Sequence, residues 1–156
     1  MRFVVDSNVG KLARWLRIAG FDTLFIKDID DNRLVRIALD QSRILLTKDT
    51  HILKRRVVAS GRLRVVLIED DEVKAQLRQV LTTLNLAGQL SPFSLCIECN
   101  ETLVPREKKD VEQLVPPYVY KTKDKYMQCP KCRRIYWRGT HWERMSRELE
   151  KMAGSG

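Results

Sequence analysis

Acidic residues follow three short apolar runs in the first third of the chain. Asp6 follows "RFVV", the segment "DIDD" follows "TLFI", and Asp49 comes shortly after "RILLT". If these runs are neighbouring parallel strands, their carboxyl ends meet at one edge of the sheet, where open α/β proteins bind ligands. Gathered carboxylates repel one another unless a proton or a cation lies between them, and hard oxygen ligands favour Mg²⁺ or Mn²⁺. The pattern predicts a divalent-cation site suited to phosphodiester hydrolysis.

The spacing within "DIDD" does not by itself select the ligand. Asp30 suits the N-cap of the following helix, whereas Asp31 begins the helix that leads towards Asp49. We therefore favour Asp31 as the ligand and keep Asp30 as a second candidate. Taken singly, each of these acids could be only a helix cap, so a site is indicated by their recurrence after three successive strands.

Basic side chains accompany these acids. Lys11, Arg14 and Arg17 lie in the helical segment after Asp6, and Lys48 directly precedes Asp49. They suit contacts with the phosphates of a nucleic acid, and the alternative is a solvated polar face opposite the apolar side of the helix. The formal net charge of +9 also favours a polyanionic partner, although basic proteins without one are common.

The four cysteines form two CxxC pairs, Cys96 with Cys99 and Cys129 with Cys132. Each pair can form a knuckle that offers two thiolates, and two knuckles complete a closed tetrahedral Zn²⁺ site of structural type. Disulfides and an iron–sulfur cluster are the alternatives. Asn100 and Arg133 follow the two pairs at the position where knuckles often need a positive φ, which Asn adopts more readily than Arg.

The segment around the second cysteine pair is strongly basic. Between residues 121 and 138 seven basic residues accompany one acid, with Tyr126, Tyr136 and Trp137 interspersed. Such a mixture suits phosphate contacts and base stacking on RNA, whereas the alternative for the aromatic rings is a small ribbon core.

Strands separated by helices position these residues. Apolar runs at residues 2–5, 23–26, 43–47 and 64–69 alternate with helical periodicity, which predicts a parallel α/β sheet over residues 1–88. Asp70 or Asp71 is predicted to cap the last helix of this part. Residues 89–153 are predicted to form a small β-rich zinc module, with "PYVYK" and "IYW" as strand-like runs and a tail helix from "HWERM".

The chain has no apolar stretch of the roughly 20 residues that a membrane-spanning helix needs. Paired cysteines that read as a metal site are typical of a reducing compartment. We therefore expect a soluble cytoplasmic protein without a membrane partner.

Several separate stretches resemble one family in the same order. "FVVDSNVGKLARWLRIAGFDT", "DIDDNRLVRIAL", "RILLTKD" and "CPKCRRIYWRGTHWERM" are similar to the PIN-like nucleases of the Mut-seven C-terminal RNase type. That family joins a PIN-like α/β domain to a C-terminal zinc ribbon. The resemblance implies that Asp6, Asp31 and Asp49 bind the catalytic Mg²⁺ or Mn²⁺, and that Thr47 is a hydroxyl residue beside the last acid. It also covers His141 and Trp142, for which tail packing and RNA contact are the two interpretations.

The resemblance favours a metal-dependent ribonuclease whose zinc ribbon and basic surface hold RNA. Because metal-activated water attacks phosphorus in line and the 3′ oxygen leaves, the products are expected to carry a 5′-phosphate. A non-catalytic RNA-binding protein is the principal alternative, and a phosphoacceptor receiver domain fits less well because only four strands precede the cysteines. Transfer RNA is one of several candidate substrates. PIN-type domains often pair, so a homodimer is a candidate assembly.

Overall fold

Parallel strands joined by helices form the first part of the chain, as predicted. The computed structural model describes residues 1–154. Within that range the larger sheet contains four parallel strands in the order β2-β1-β3-β4. The strands are β1 (Arg2–Val5), β2 (Asp22–Phe25), β3 (Ile44–Thr47) and β4 (Val65–Leu67).

Helices cover both faces of this sheet. The helices are α1 (Gly10–Ile18), α2 (Asp31–Asp40), α3 (Arg56–Ala59) and α4 (Val73–Thr83), with short 3₁₀ turns at Ser7–Val9, Ile52–Lys54 and Ala87–Gln89. None of the helices in the described residues is long and apolar enough to cross a membrane.

Alternating strand residues divide the core into two layers. Phe3 and Val5 pack with apolar residues of α1 and α4, whereas Val4 packs in a separate cluster with α2. This alternation follows from the two-residue period of a strand, and burial on both faces explains why β1 and β3 are almost wholly apolar.

Acidic side chains cap two of the helices. The Asp30 carboxylate accepts a hydrogen bond from the Arg33 N–H at 2.9 Å and caps α2. The prediction that Asp70 or Asp71 caps α4 was wrong, because Glu72 accepts from the N–H groups of Lys74 and Ala75. Because α4 begins at Val73, Glu72 and neither aspartate occupies the N-cap position.

A three-stranded antiparallel sheet forms the core of the cysteine module in the described chain. Its strands are β5 (Val104–Arg106), β6 (Tyr126–Gln128) and β7 (Ile135–Tyr136), and the helices α5 (Lys108–Val111) and α6 (Pro117–Thr122) lie between β5 and β6. The strand predicted at "PYVYK" was wrong, since this segment is α6. Pro117 occupies the first helical position, where its fixed φ and missing N–H favour a helix start.

The predicted tail helix, α7 (Thr140–Gly154), packs on the first part of the chain. Leu149 and Met152 are buried in the same core cluster as Leu77 and Val80 of α4. Along the sequence, the cysteine module therefore lies between the parallel sheet and α7, and these two segments share one core.

Candidate active site

The carboxyl ends of β1 and β3 lie side by side at the predicted edge. In the sheet, β2 lies on one side of β1 and β3 lies on the other. The order in which strands are placed therefore reverses between β1 and β3, which makes this position a topological switch point. The Asp6 N–H donates to the Leu46 carbonyl at 2.9 Å, which extends the pairing of the two strands to the first acid. Crevices at such switch points bind ligands in open α/β sheets.

Asp6 and Asp49 are linked through the hydroxyl of Thr47. Asp6 is only 7% exposed, and its two oxygens accept hydrogen bonds from the Ser7 N–H and the Thr47 hydroxyl, each at 2.7 Å. The Asp49 N–H donates to the same hydroxyl oxygen at 3.0 Å. Thr47 itself is fully buried at the end of β3, so the position of its hydroxyl between Asp6 and Asp49 is held by the sheet.

Asp31 lies close enough to the other two acids to interact with their charges. Burial, followed by the negative charges of Asp49 and Asp6, raises the pKa of Asp31 above its ordinary value. The positive charge of Arg55 partly opposes this effect. The three carboxylates do not form a ready-made ligand cluster, since in residues 1–154 the group of His, Cys, Asp or Glu side chains close enough to hold a metal ion is the set of four cysteines. Their oxygens are nevertheless the donor type that suits Mg²⁺ or Mn²⁺.

The predicted basic contacts lie in different environments. Lys11 and Arg14 are exposed on α1, and the Arg14 guanidinium pairs with the Glu98 carboxylate at 2.7 Å. The Lys48 ammonium group forms an ion pair with Asp71, and the Lys48 backbone N–H donates to the Asn8 side chain at 3.3 Å.

Arg17 differs from the expected phosphate contact because its side chain points into the protein. Arg17 is 8% exposed and donates from Nε to the Thr23 carbonyl at 3.0 Å and from Nη1 to the Ile97 carbonyl at 2.7 Å. These bonds join α1 to β2 and to the first cysteine knuckle. The helical period of the sequence could not reveal this, because the knuckle that covers Arg17 is 80 residues away.

The four cysteines meet as predicted. Their Sγ atoms all lie within 4.8 Å of one another, and those of Cys96 and Cys132 are 3.7 Å apart. Tetrahedral Zn²⁺ with Zn–S bonds of about 2.3 Å would place its sulfur ligands roughly 3.8 Å apart. All four thiols are free of disulfide bonds. The donor set and its spacing therefore fit a closed zinc site.

The two cysteine knuckles have matching backbone geometry. In each, the N–H of the second cysteine points to the Sγ of the first at 3.4 Å. Asn100 and Arg133 adopt φ values of 64° and 69°, the left-handed conformation expected after each pair. The Tyr136 hydroxyl accepts from the Ile97 N–H and lies 3.1 Å from the Cys96 Sγ, within hydrogen-bonding distance of that sulfur.

The aromatic rings of the cysteine module are largely structural. Tyr126 and Tyr136 are buried, and Trp137 packs against the cluster around Val111. Trp142 packs edge-to-face on Phe93 at 5.1 Å between ring centroids, while His141 is exposed. By contrast, the cations of this module are at the surface, with Lys121, Lys125, Lys131, Arg133, Arg134 and Arg138 exposed.

Comparison with protein families identifies the family of the chain. The model of the family described as Mut7-C RNAse domain matches residues 1–149. The chain belongs to the Mut7-C RNase domain family. This assignment confirms the resemblance inferred from the sequence and indicates a nuclease or RNA-related function. No curated protein and no solved structure gives a significant match.

Two residues of this Mut7-C RNase domain belong to the acidic edge but escaped the sequence analysis. Arg55 acts electrostatically on Asp31 and donates to the Asn32 side chain at 2.8 Å. Asn8 accepts from the Lys48 N–H, which fixes the loop that carries Asp49. In the sequence, Arg55 stands in "KRR", which looks like any basic surface patch, and only the fold turns it towards the acids.

Proposed function

We propose that this Mut7-C RNase domain is a metal-dependent ribonuclease that hydrolyses RNA at the edge formed by Asp6, Asp31 and Asp49. The observation that carries the proposal is the junction of Asp6 and Asp49 at the switch point, with Asp31 electrostatically coupled to both. Family membership supplies the reaction class, and the carboxylates supply the donor set.

Asp6, Asp31 and Asp49 would hold Mg²⁺ or Mn²⁺, with Asp30 less suited because its carboxylate caps α2. Such an ion supplies activation of water and stabilisation of the leaving oxygen in phosphodiester hydrolysis. Each oxygen of Asp6 accepts one hydrogen bond from protein and retains a second lone pair for a cation.

Residues beside the acids would orient the RNA. Lys11 and Arg14 are exposed on the helix that follows Asp6 and suit phosphate contacts. Lys48 is half-buried beside Asp49 and would contact a phosphate only after parting from Asp71. Arg17 would act indirectly, since its donors hold α1 against the first knuckle.

The zinc ribbon would serve as a second RNA-binding element. Four closed thiolate ligands leave no open position for catalysis, so the zinc is structural. The exposed cations Lys131, Arg133 and Arg134 surround the second knuckle and suit sequence-independent contacts with phosphates. The cysteine module thus contributes affinity while the acids contribute chemistry.

The proposal is tested with purified protein, labelled total RNA and Mn²⁺. Asp6→Asn and Asp49→Asn are expected to lower the cleavage rate by about 100-fold or more, because each removes a ligand charge. Sequencing of the fragments would identify the RNA class, including transfer RNA, and the products are expected to carry 5′-phosphate ends. Light scattering of the same samples would measure whether the protein is a homodimer.

Asp40→Asn is the matched control, because Asp40 is exposed at the far end of α2 from Asp31. It is expected to cleave at the unaltered rate, and thermal melting would verify that all three variants are folded. RNA that binds but stays intact with the unaltered protein and Mn²⁺ would instead favour the non-catalytic RNA-binding function.

A further inference from the structure

A groove begins beside Asp6 and runs along α1. It has a volume of about 990 Å³, at the upper end of the roughly 300–1,000 Å³ found for ligand clefts. Ser7 and Asn8 line the end next to the acids, and Phe25 lies within it. The N-terminus of α4 and the first cysteine knuckle also line the groove, through Glu72 and Ile97 among others.

Phe25 is the aromatic residue of the groove. It pairs with Val5 in the sheet register, one residue before Asp6, and its side chain is only partly buried. Gly10, in the first turn of α1, leaves space for the ring: a Cβ there would lie 3.0 Å from two of its carbons. The ring is therefore held beside the acidic edge with part of its surface open.

The charges of the groove favour an anion next to this ring. Lys11 and Lys27 are exposed in the lining, and in residues 1–154 neither forms an ion pair. Three of the acids in the lining already have partners, since Asp71 pairs with Lys48, Glu98 pairs with Arg14 of the same lining and Glu72 caps α4. Asp28, the remaining acid, follows Lys27 at the rim.

We infer that this groove binds a single-stranded segment of the RNA, with one base stacked on Phe25 and neighbouring phosphates on Lys11 and Lys27. An aromatic ring between cations is the usual composition of single-strand binding sites, because every base has a face that stacks. A duplex keeps its bases stacked within the helix, so its bases cannot reach the ring. The inference rests on the proposed function for the choice of RNA, and it adds a specificity for unpaired substrate.

The test measures binding separately from cleavage. Zinc-loaded full-length protein is titrated, without Mg²⁺ or Mn²⁺, into a fluorescein-labelled single-stranded ten-nucleotide oligoadenylate, and anisotropy gives the Kd. Phe25→Leu is expected to raise the Kd about five- to hundredfold, the range for loss of one base–aromatic stack. Phe25→Tyr retains the ring and is expected to stay within about twofold of the unaltered protein.

Two controls separate stacking from charge and from unrelated surface changes. Asp40→Asn alters an exposed side chain at the end of α2, outside both the groove and the cysteine module, and is expected to leave the Kd unchanged. Lys27→Ala is expected to reduce the slope of log Kd against log salt by about 0.7, the value for one phosphate contact on a single strand, whereas Phe25→Leu leaves that slope unchanged. Photocrosslinking of 4-thiouridine RNA is expected to label the peptide that contains Phe25.

A Kd for Phe25→Leu equal to that of the unaltered protein would overturn the inference, as would tighter binding of a ten-base-pair RNA duplex than of the single strand. Either result leaves the nuclease proposal intact, because that proposal depends on loss of cleavage in the aspartate variants. Conversely, weakened binding by Phe25→Leu in a protein that never cuts RNA would support the groove and contradict the nuclease.

Discussion

At the scale of single residues, Thr47 connects the end of β3 to two of the three acids. Its hydroxyl donates to Asp6 and accepts from the Asp49 N–H, so one buried side chain sets the separation of two carboxylates. A hydroxyl is the smallest group that can do both, and it fits at a strand position with no exposed surface. Thr47 is therefore a positioning residue for the proposed metal ligands.

Thr47→Val keeps the shape of the side chain and removes both hydrogen bonds. We expect it to raise the Mn²⁺ concentration for half-maximal cleavage by about tenfold or more, because a ligand that loses its orienting partner binds metal less well. The free energy of unfolding is expected to fall by about 1–3 kcal/mol, since the Asp49 N–H and an Asp6 oxygen lose their partner. Thr47→Ser retains the hydroxyl and is the control; a valine variant with unaltered Mn²⁺ dependence would contradict this role.

At the scale of elements, the first cysteine knuckle covers the edge strand β2. The Asn100 side chain accepts from the Thr23 N–H at 2.9 Å and donates to the Asp22 carboxylate at 2.6 Å. Arg43 donates to the same Asp22 carboxylate oxygen at 2.8 Å. These bonds satisfy a backbone donor of an edge strand that would otherwise face solvent, which protects the edge from pairing with another chain.

Asp22 makes this contact sensitive to acid. Burial alone would raise its pKa, but hydrogen bonds from Asn100 and Arg43, aided by the charge of Arg43, outweigh burial and lower the pKa of Asp22 below its ordinary value. A lowered pKa in the folded state means that the ionised carboxylate stabilises the fold above the ordinary pKa. That stabilisation is lost as the pH falls through the folded-state value.

Asp22→Asn is expected to lower the free energy of unfolding by about 1 kcal/mol at neutral pH, a modest figure because the Asp22 side chain is 38% exposed. The difference between the two proteins is expected to shrink as the pH falls below about 4. Urea unfolding at a series of pH values would measure it, with the zinc content of both proteins determined at each pH so that only zinc-loaded protein is compared. A difference that stays constant with pH would rule out the ionised Asp22 as its cause.

At the scale of the whole molecule, the zinc module and the parallel sheet are coupled in two places. The first knuckle bonds to α1 and β2 through Arg17 and Asn100, and α7 returns the chain to the main core through Leu149. Leu149 is fully buried among residues of the first part of the chain. The parallel sheet and the cysteine module, with its tail helix, therefore share contacts and one core.

Removal of zinc is expected to destabilise the entire protein. Burial, together with the hydrogen bonds and charges of the neighbouring cysteines, raises the pKa of Cys99 to about 12 when no metal is bound. The metal-free site therefore holds protons that zinc must displace. Chelation is expected to release one zinc per chain, measured with a colorimetric indicator, and to lower the melting temperature by about 10 °C or more.

The readout for coupling is the far-ultraviolet circular dichroism melt, which reports mainly the helices around the parallel sheet. Cys132→Ser, which removes one ligand without a chelator, is expected to lower the melting temperature in the same direction. An unaltered main transition after zinc removal would show that the two parts unfold independently.

The sequence alone determined the features that depend on local periodicity and on the chemistry of side chains. Apolar runs and helical spacing predicted the parallel sheet, and the position of Asp6 and Asp49 after strands predicted that they share an edge. Two CxxC pairs predicted the thiol cluster, since ligand spacing is itself a geometric constraint. Asn100 and Arg133 adopt the predicted positive φ because the knuckle turn imposes it on whichever residue follows.

Tertiary structure decided what depends on contacts between distant segments. Arg17 looks like a surface cation until the knuckle at Ile97 buries it, and "PYVYK" has strand composition but begins with a proline that favours a helix. Phe25 reads as one more apolar strand residue until α1, α4 and the knuckle form a groove around it. Side-chain burial is a property of the assembled surfaces, so a period of two or 3.6 residues cannot determine it alone.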